Sequence, residues 1–288
     1  MKLFVFGYGY TGQALARRLG WDVAATARNA EAAEALRAQG VTAIDPGDKT
    51  ALAEALSDVS AILVTAPPDD HGCPGLEALV PALASSGAFP DWIGYLSTTG
   101  VYGDREGRWV FESTSLSARS IEGARRVSAE RDWLEVGRGM GLTVQVFRLP
   151  GIYGPGRSAF ERLAEGKARR IVKPGQVFSR VHVDDIASGL AASIARPRAG
   201  GIYNLCDDEP APPQDVIAYA ARLMGVEPPP EVAFEDANLP EAARRFYAEN
   251  KRVSNALAKA ELGWLPTYPT YREGLTAIGQ AAGFLHRP

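Results

Sequence analysis

Six consecutive residues, Gly7-Tyr8-Gly9-Tyr10-Thr11-Gly12, have the types and spacing to seat a phosphate. Each glycine answers a physical need. Gly7 permits a tight turn, Gly9 lets the main chain approach a pyrophosphate, and Gly12 lets a following helix pack close to a preceding strand. The N–H groups and positive dipole end of that helix then face the phosphates. The chemistry expected of such a loop is dinucleotide binding. Which dinucleotide is read about 20 residues on, where an acid at the second strand's tip holds the ribose hydroxyls of NAD. Here the segment 22–27 runs into Arg28-Asn29 and has no carboxylate at its tip. An arginine there donates charge-assisted hydrogen bonds to a 2′-phosphate, so NADP is expected and NAD is the alternative. His71 and Cys73 have metal-binding chemistry, but no second cluster completes a site and no metal is expected.

A loop of this kind needs a strand before it and a helix after it, and both are legible. Leu3-Phe4-Val5-Phe6 is an apolar run, and Leu15, Ala16 and Leu19 fall on one helical face. Further strands are expected at 22–27, 41–44, 61–65, 92–97 and 142–148, and helices at 31–39, 50–56, 75–84 and 120–137. Alternation at this spacing means an α/β fold, a parallel sheet covered on both faces. The run 61–65 stops at Ala66-Pro67-Pro68, on the carboxyl edge where ligands of open α/β sheets bind. Thr65, Ala66 and Pro67 are therefore candidate cofactor contacts, with Asp45 after the third strand and Tyr8, Tyr10 and Thr11 within the glycine loop. Past residue 150 the segments shorten and prolines punctuate them. A loop at 151–156, a helix within 181–194 capped by Asp184, and a strand at 201–205 are expected. Helices at 213–224, 240–249 and 271–281 follow.

Composition works by exclusion. The formal net charge is −3 and no long Lys/Arg run is present, so no nucleic-acid partner is expected. No apolar run approaches the ~20 residues needed to cross a bilayer, so no membrane partner is expected either. The first strand begins at residue 2, which leaves no room for a signal peptide. Two cysteines, Cys73 and Cys206, fit a reducing cytoplasm better than a disulfide scaffold. A length of 288 residues corresponds to about two domains.

Five motifs in order carry a resemblance: GYGYTG at 7–12, YLSTTGVYGD at 95–104, FRLPGIYGPG at 147–156, RVHVDDIASGL at 180–190 and GIYNLCDDEP at 201–210. Nearly the whole chain resembles the extended short-chain dehydrogenase/reductases, the NAD-dependent epimerase/dehydratase group. The GxGxxG spacing, in place of GxxGxxG, is more similar to the atypical subgroup. The resemblance implies a Rossmann-like, doubly wound parallel sheet of seven strands, with residues 1–150 as the dinucleotide-binding domain. It also implies a smaller C-terminal substrate domain, mainly 151–288, from which about 178–205 return to the first domain. A small-molecule substrate would bind in the cleft between them, and a homodimer is one assembly open to such a chain.

Chemistry in this family uses a Ser or Thr to polarise the substrate, a Tyr to move a proton and a Lys to lower the Tyr pKa. The resemblance puts Thr98 at the Ser/Thr position. It puts Glu122 and Arg126 where the Tyr and Lys would stand. Their i,i+4 spacing turns both side chains the same way, but a carboxyl near 4 does not imitate a phenol near 10. Arg126 can still hold a ribose hydroxyl or a phosphate, and the pair can equally be a surface ion pair. Tyr102 is the first choice for a replacement proton donor, ahead of Tyr153 and Glu112. His182 reads as fixing a helix start. A literal Tyr247-xxx-Lys251 falls about a hundred residues too late. Gly151 stands where nucleotide-sugar epimerases commonly place an Asn. Three readings follow. The leading one is an NAD(P)-dependent oxidoreductase or epimerase with a rearranged acid/base set. The others are a nucleotide-sugar epimerase/dehydratase and a dinucleotide-binding sensor without chemistry.

Overall fold

In the computed structural model, which describes residues 1–285, the first strand shows why the sheet forms. Along Lys2–Phe6, Leu3 and Val5 enter one hydrophobic core while Phe4 and Phe6 enter another. A strand buried on both faces must be apolar throughout, which is why the run lacks alternation. Ala61–Val64 divides likewise, Leu63 joining the first core and Ile62 and Val64 the second. Seven parallel strands lie in the order Ile202–Asn204, Val144–Leu149, Trp92–Thr98, Ala61–Val64, Lys2–Phe6, Asp22–Thr26 and Thr42–Ile44. The helices Tyr10–Leu19, Ala30–Arg37 and Val183–Ala195 cover the first core. Lys49–Leu56, Pro74–Ser86 and Ile121–Met140 cover the second. This is a Rossmann-like doubly wound sheet. Its winding reverses between Lys2–Phe6 and Ala61–Val64, opening a crevice at their carboxyl ends.

Local chemistry sets the helix starts. Ser120 Oγ accepts from Gly123 N at 2.9 Å and begins Ile121–Met140. Val183–Ala195 is capped by His182, whose Nδ1 accepts from Asp184 N at 3.2 Å. The expected cap, Asp184, sits inside the first turn because the strand Arg180–His182 runs into the helix without a loop. A carboxylate is still favourable there, against the positive end of the helix dipole.

Beyond residue 150 the chain adds short parallel pairs. The expected loop at 151–156 opens with a strand, Gly151–Tyr153, paired to Arg180–His182. Arg170–Val172 pairs with Glu231–Ala233, and Trp109–Val110 with Arg252–Val253. A separate core that includes Phe160, Ile217, Tyr271 and Ile278 lies among Ala159–Ala164, Pro213–Met224 and Tyr271–Ala282. The helices Ala159–Ala164 and Ala256–Leu262 were not anticipated, and the one expected at 240–249 is shorter, Glu241–Tyr247.

Candidate active site

The glycine loop turns at the crevice. Gly7 has φ +94°, its N–H donates to Thr26 Oγ1 at 3.0 Å, and its carbonyl accepts from Thr65 Oγ1. Positive φ is cheap only for glycine, so the turn depends on it. Gly12 packs so close to the first strand that an added Cβ would meet Val5 Cγ1 at 2.9 Å. Gly9 is the opposite case. A Cβ there would meet nothing within 4 Å, so the main chain borders open space. Gly9 precedes Tyr10–Leu19 with no side-chain cap and no acid in the first turn. The first N–H groups of that helix are therefore left without intrahelical or capping partners, and their dipole favours an anion.

A groove of 1430 Å³ runs from this seat across the strand ends, and Tyr8, Arg28, Thr65, Ala66 and Pro67 stand in its wall. Arg28 is exposed, and its neighbour Asn29 is committed to capping Ala30–Arg37 through Ala32 N. Thr65 lines the groove, but its hydroxyl braces the glycine turn. Asp45 is not in the wall. Its Oδ1 accepts from Gly47 N at 2.8 Å, a local turn that leaves Pro46 and Gly47 facing the groove instead. Lys49 adds a second cation that sequence reasoning did not single out. An open-faced glycine, bare helix N–H groups and cations along the wall fit a phosphate-bearing dinucleotide.

A second cleft of 320 Å³ shares Gly9 and Thr65 with the groove. Tyr10, Thr11, Thr98, Arg126 and Arg157 line it. Thr98 ends the strand Trp92–Thr98, and its Oγ1 accepts from Gly100 N at 3.1 Å, which leaves the hydroxyl hydrogen free to donate. An Arg126 N–H donates to the Leu96 carbonyl at 2.5 Å, and the guanidinium lies 5.9 Å from the Tyr95 ring centroid. Tyr10 donates to the Pro155 carbonyl at 3.0 Å, and burial pushes its hydroxyl up to about 12. Arg157, which follows the GIYGPG segment, was also not singled out from the sequence. A cation directly after that glycine-proline turn was its only signal.

Tyr102 and Glu122 are not in either wall. Tyr102 is fully buried, donates to Asn204 Oδ1 at 2.7 Å and accepts from Arg148 at 3.0 Å. Burial pushes it up to about 12 against the pull of Arg148. A hydroxyl so enclosed has no route to a substrate. Glu122 is exposed on the first turn of Ile121–Met140, and the nearest cation is Arg245 at 3.9 Å. It makes no pair with Arg126, whose side chain turns inward to Leu96 instead. Glu112 Oε1 accepts from Asn204 N at 2.8 Å, and Tyr153 OH points to the Thr270 carbonyl at 3.5 Å, so both face the interior. Lys251 donates to the Gly103 carbonyl at 2.9 Å and pairs with Glu249, away from either cleft. No group of metal-ligating side chains forms among the described residues.

Beneath the second cleft lies a buried ion pair. Arg148 on Val144–Leu149 donates to Glu130 on Ile121–Met140 at 2.8 Å, and both side chains are 3% exposed. Ser97 also donates to Glu130 at 2.5 Å. Ser97 adjoins Thr98, and Glu130 is one helical turn beyond Arg126, on the same face. The pair thus fixes how the strand end carrying Thr98 sits against the helix carrying Arg126.

Fold and clefts together define a nucleotide-binding α/β protein of Rossmann-like architecture, with an anion seat and a smaller polar cleft beside it. The profile of the NAD dependent epimerase/dehydratase family matches residues 75–206. Protein YeeZ of Escherichia coli (strain K12) is 31% identical over 287 residues, covering 93% of this chain and 96% of that protein. The chain belongs to the NAD dependent epimerase/dehydratase family. A functionally unknown conserved protein from Silicibacter pomeroyi DSS is 50% identical with a TM-score of 0.88, covering 98% of this chain and 99% of that one. A dTDP-glucose 4,6-dehydratase from Bacillus anthracis str. Ames, solved in complex with NAD, has a TM-score of 0.78 at 19% identity. It covers 98% of this chain and 96% of its own, a likeness of fold.

Proposed function

We propose that the protein is an NADP-dependent oxidoreductase or epimerase of a small carbonyl or alcohol, with Thr98 and Arg126 as the groups that meet the substrate. The observation that carries this reading is the continuity of the groove at Gly9 with the cleft that holds both side chains. The dehydratase likeness, solved with NAD, supports a nicotinamide dinucleotide in the groove. Tyr8 and the turn of Gly7, Gly9 and Gly12 form its seat, with Tyr10 and Thr11 on the side of the second cleft; Arg28 answers a 2′-phosphate, and Thr65, Ala66 and Pro67 flank it. Residues 1–150 carry the cofactor, and much of 151–288 carries the substrate side. A reducing, cytoplasmic setting suits the buried free thiols of Cys73 and Cys206.

The dinucleotide supplies or removes a hydride when bound. The chain's part is electrostatic. Thr98 donates a hydrogen bond to the substrate oxygen. Arg126, in the position of the family's Lys, stabilises negative charge growing on that oxygen. Glu122, in the position of the family's Tyr, takes no part, and the proton comes from water admitted to the open cleft. Without a tyrosine the step is slower than a positioned general acid would make it.

NADPH oxidation measured over a panel of aldehydes, ketones and keto sugars tests the reading. Turnover is expected on at least one, and Thr98→Ala is expected to lower kcat by about 10²–10³, the scale of losing one positioned donor. A Thr98→Ala variant as active as the parent overturns the assignment. The sensor reading has one observation in its favour, the absence of Tyr102 and Glu122 from the cleft. It predicts NADPH binding with no turnover and a silent Thr98→Ala.

A further inference from the structure

Two arginines line the second cleft and no aspartate or glutamate does. Among the described residues Arg126 makes one hydrogen bond, to the Leu96 carbonyl. The Arg157 guanidinium makes no hydrogen bond or ion pair among the described residues and lies 6.0 Å from the Tyr10 ring centroid. The nearby carboxylates are committed elsewhere. Glu161 accepts from Gly156 N, Ser158 N and Ser158 Oγ at 2.6–3.0 Å. Glu130 is held by Arg148 and Ser97. Asp70 pairs with the neighbouring Arg125, and Asp184 is exposed to solvent and stands outside the cleft wall. Two like charges facing one small cleft repel each other unless an anion joins them. The rest of the wall includes Leu96, Leu149, Pro150 and Ile152, which offer apolar surface and no counter-charge.

We infer that the substrate carries an anionic oxygen group, a carboxylate or a phosphate ester, beside its reacting carbon, and that Arg157 holds this group while Thr98 and Arg126 meet the carbonyl oxygen. The inference rests on the hydride-transfer reading above. The planar guanidinium fork matches both oxyanions. The cofactor's pyrophosphate has its own seat at the start of Tyr10–Leu19, so it does not need Arg157. A cleft of 320 Å³ is near the low end of ligand sites and suits a small acid, not a nucleotide-linked sugar.

Thermal-shift and fluorescence titrations of the NADPH-saturated protein test this with matched probes. One pair is 2-oxobutanoate and its neutral amide; the other is dihydroxyacetone phosphate and dihydroxyacetone. At least one anionic probe is expected to bind tenfold or more tightly than its neutral partner, and which one does so separates carboxylate from phosphate. Arg157→Ala is expected to abolish that preference and leave NADPH affinity unchanged, while Arg157→Lys restores part of it. Equal binding within both pairs, or binding of none of the four, overturns the inference. So does an Arg157→Ala variant that loses NADPH affinity, since the arginine would then serve the cofactor. A parent protein that fails to bind NADPH at all would instead sink the reading beneath it.

Discussion

Arg28 stands alone at the tip of Asp22–Thr26, exposed in the groove wall, with its neighbour Asn29 taken by a helix cap. If it meets a 2′-phosphate, Arg28→Ala is expected to weaken NADPH by about ten- to a hundredfold, since hydrogen bonds to charged groups contribute ~1.5–3 kcal/mol. NADH should bind the variant as it binds the parent. Fluorescence titration of both dinucleotides checks this, and a parent that prefers NADH refutes it. At this scale the sequence was most legible where a residue's role is a constraint on its own backbone. The needs of Gly7 and Gly12 follow from having no Cβ, and the positive φ of Gly7 and the close packing of Gly12 meet them, while Gly9 borders open space. Side-chain destinations were less legible. Nothing in the string Val101-Tyr102-Gly103 says that the phenol turns inward to Arg148 and Asn204, because both partners lie far along the chain.

Between elements, the Glu130–Arg148 pair joins Ile121–Met140 to Val144–Leu149, and Ser97 brings in Trp92–Thr98. Removing one partner of a buried pair strands the other charge in a low-dielectric interior. Glu130→Ala is therefore expected to cost about 3–5 kcal/mol, read from urea denaturation, while a Glu130→Leu/Arg148→Met double variant recovers most of that loss. A single variant as stable as the parent would mean that water reaches Arg148. Long elements could be read from their patterns. Elements of two or three residues, such as Trp109–Val110 and Arg170–Val172, cannot display a period of two, and Ala159–Ala164 is under two turns. One of these did leave a signal. Ser158 and Glu161 form a capping box, three residues apart.

At the scale of the whole molecule, one costly polar burial lies away from the clefts. Asp207 is 2% exposed, neither carboxylate oxygen makes a well-formed hydrogen bond, and burial pushes it up to about 8 despite the pull of Arg180. Asp208 and Glu209 push it further up. The ordinary value is 3.8, so between about pH 4 and 8 the folded chain keeps a proton that the unfolded chain releases. The stability tied to this carboxyl is full below about pH 4 and is lost as pH rises through 8, by at most about 1.4 kcal/mol per pH unit. Asp207→Asn cannot titrate. Its melting temperature is expected to gain on the parent's between pH 5 and pH 9, and parallel curves would refute the assignment. The Tyr10 hydroxyl has a different kind of consequence. It belongs to the first residue of Tyr10–Leu19, lines the second cleft, and ties that helix to the Pro155 carbonyl. A substitution there would reach the second cleft directly and the groove only through the helix start that follows Gly9. On the reading proposed above, Arg28, which lines the groove and not the second cleft, can be varied for cofactor preference alone, whereas a change at Tyr10 bears on the second cleft and on the helix start beside Gly9 together.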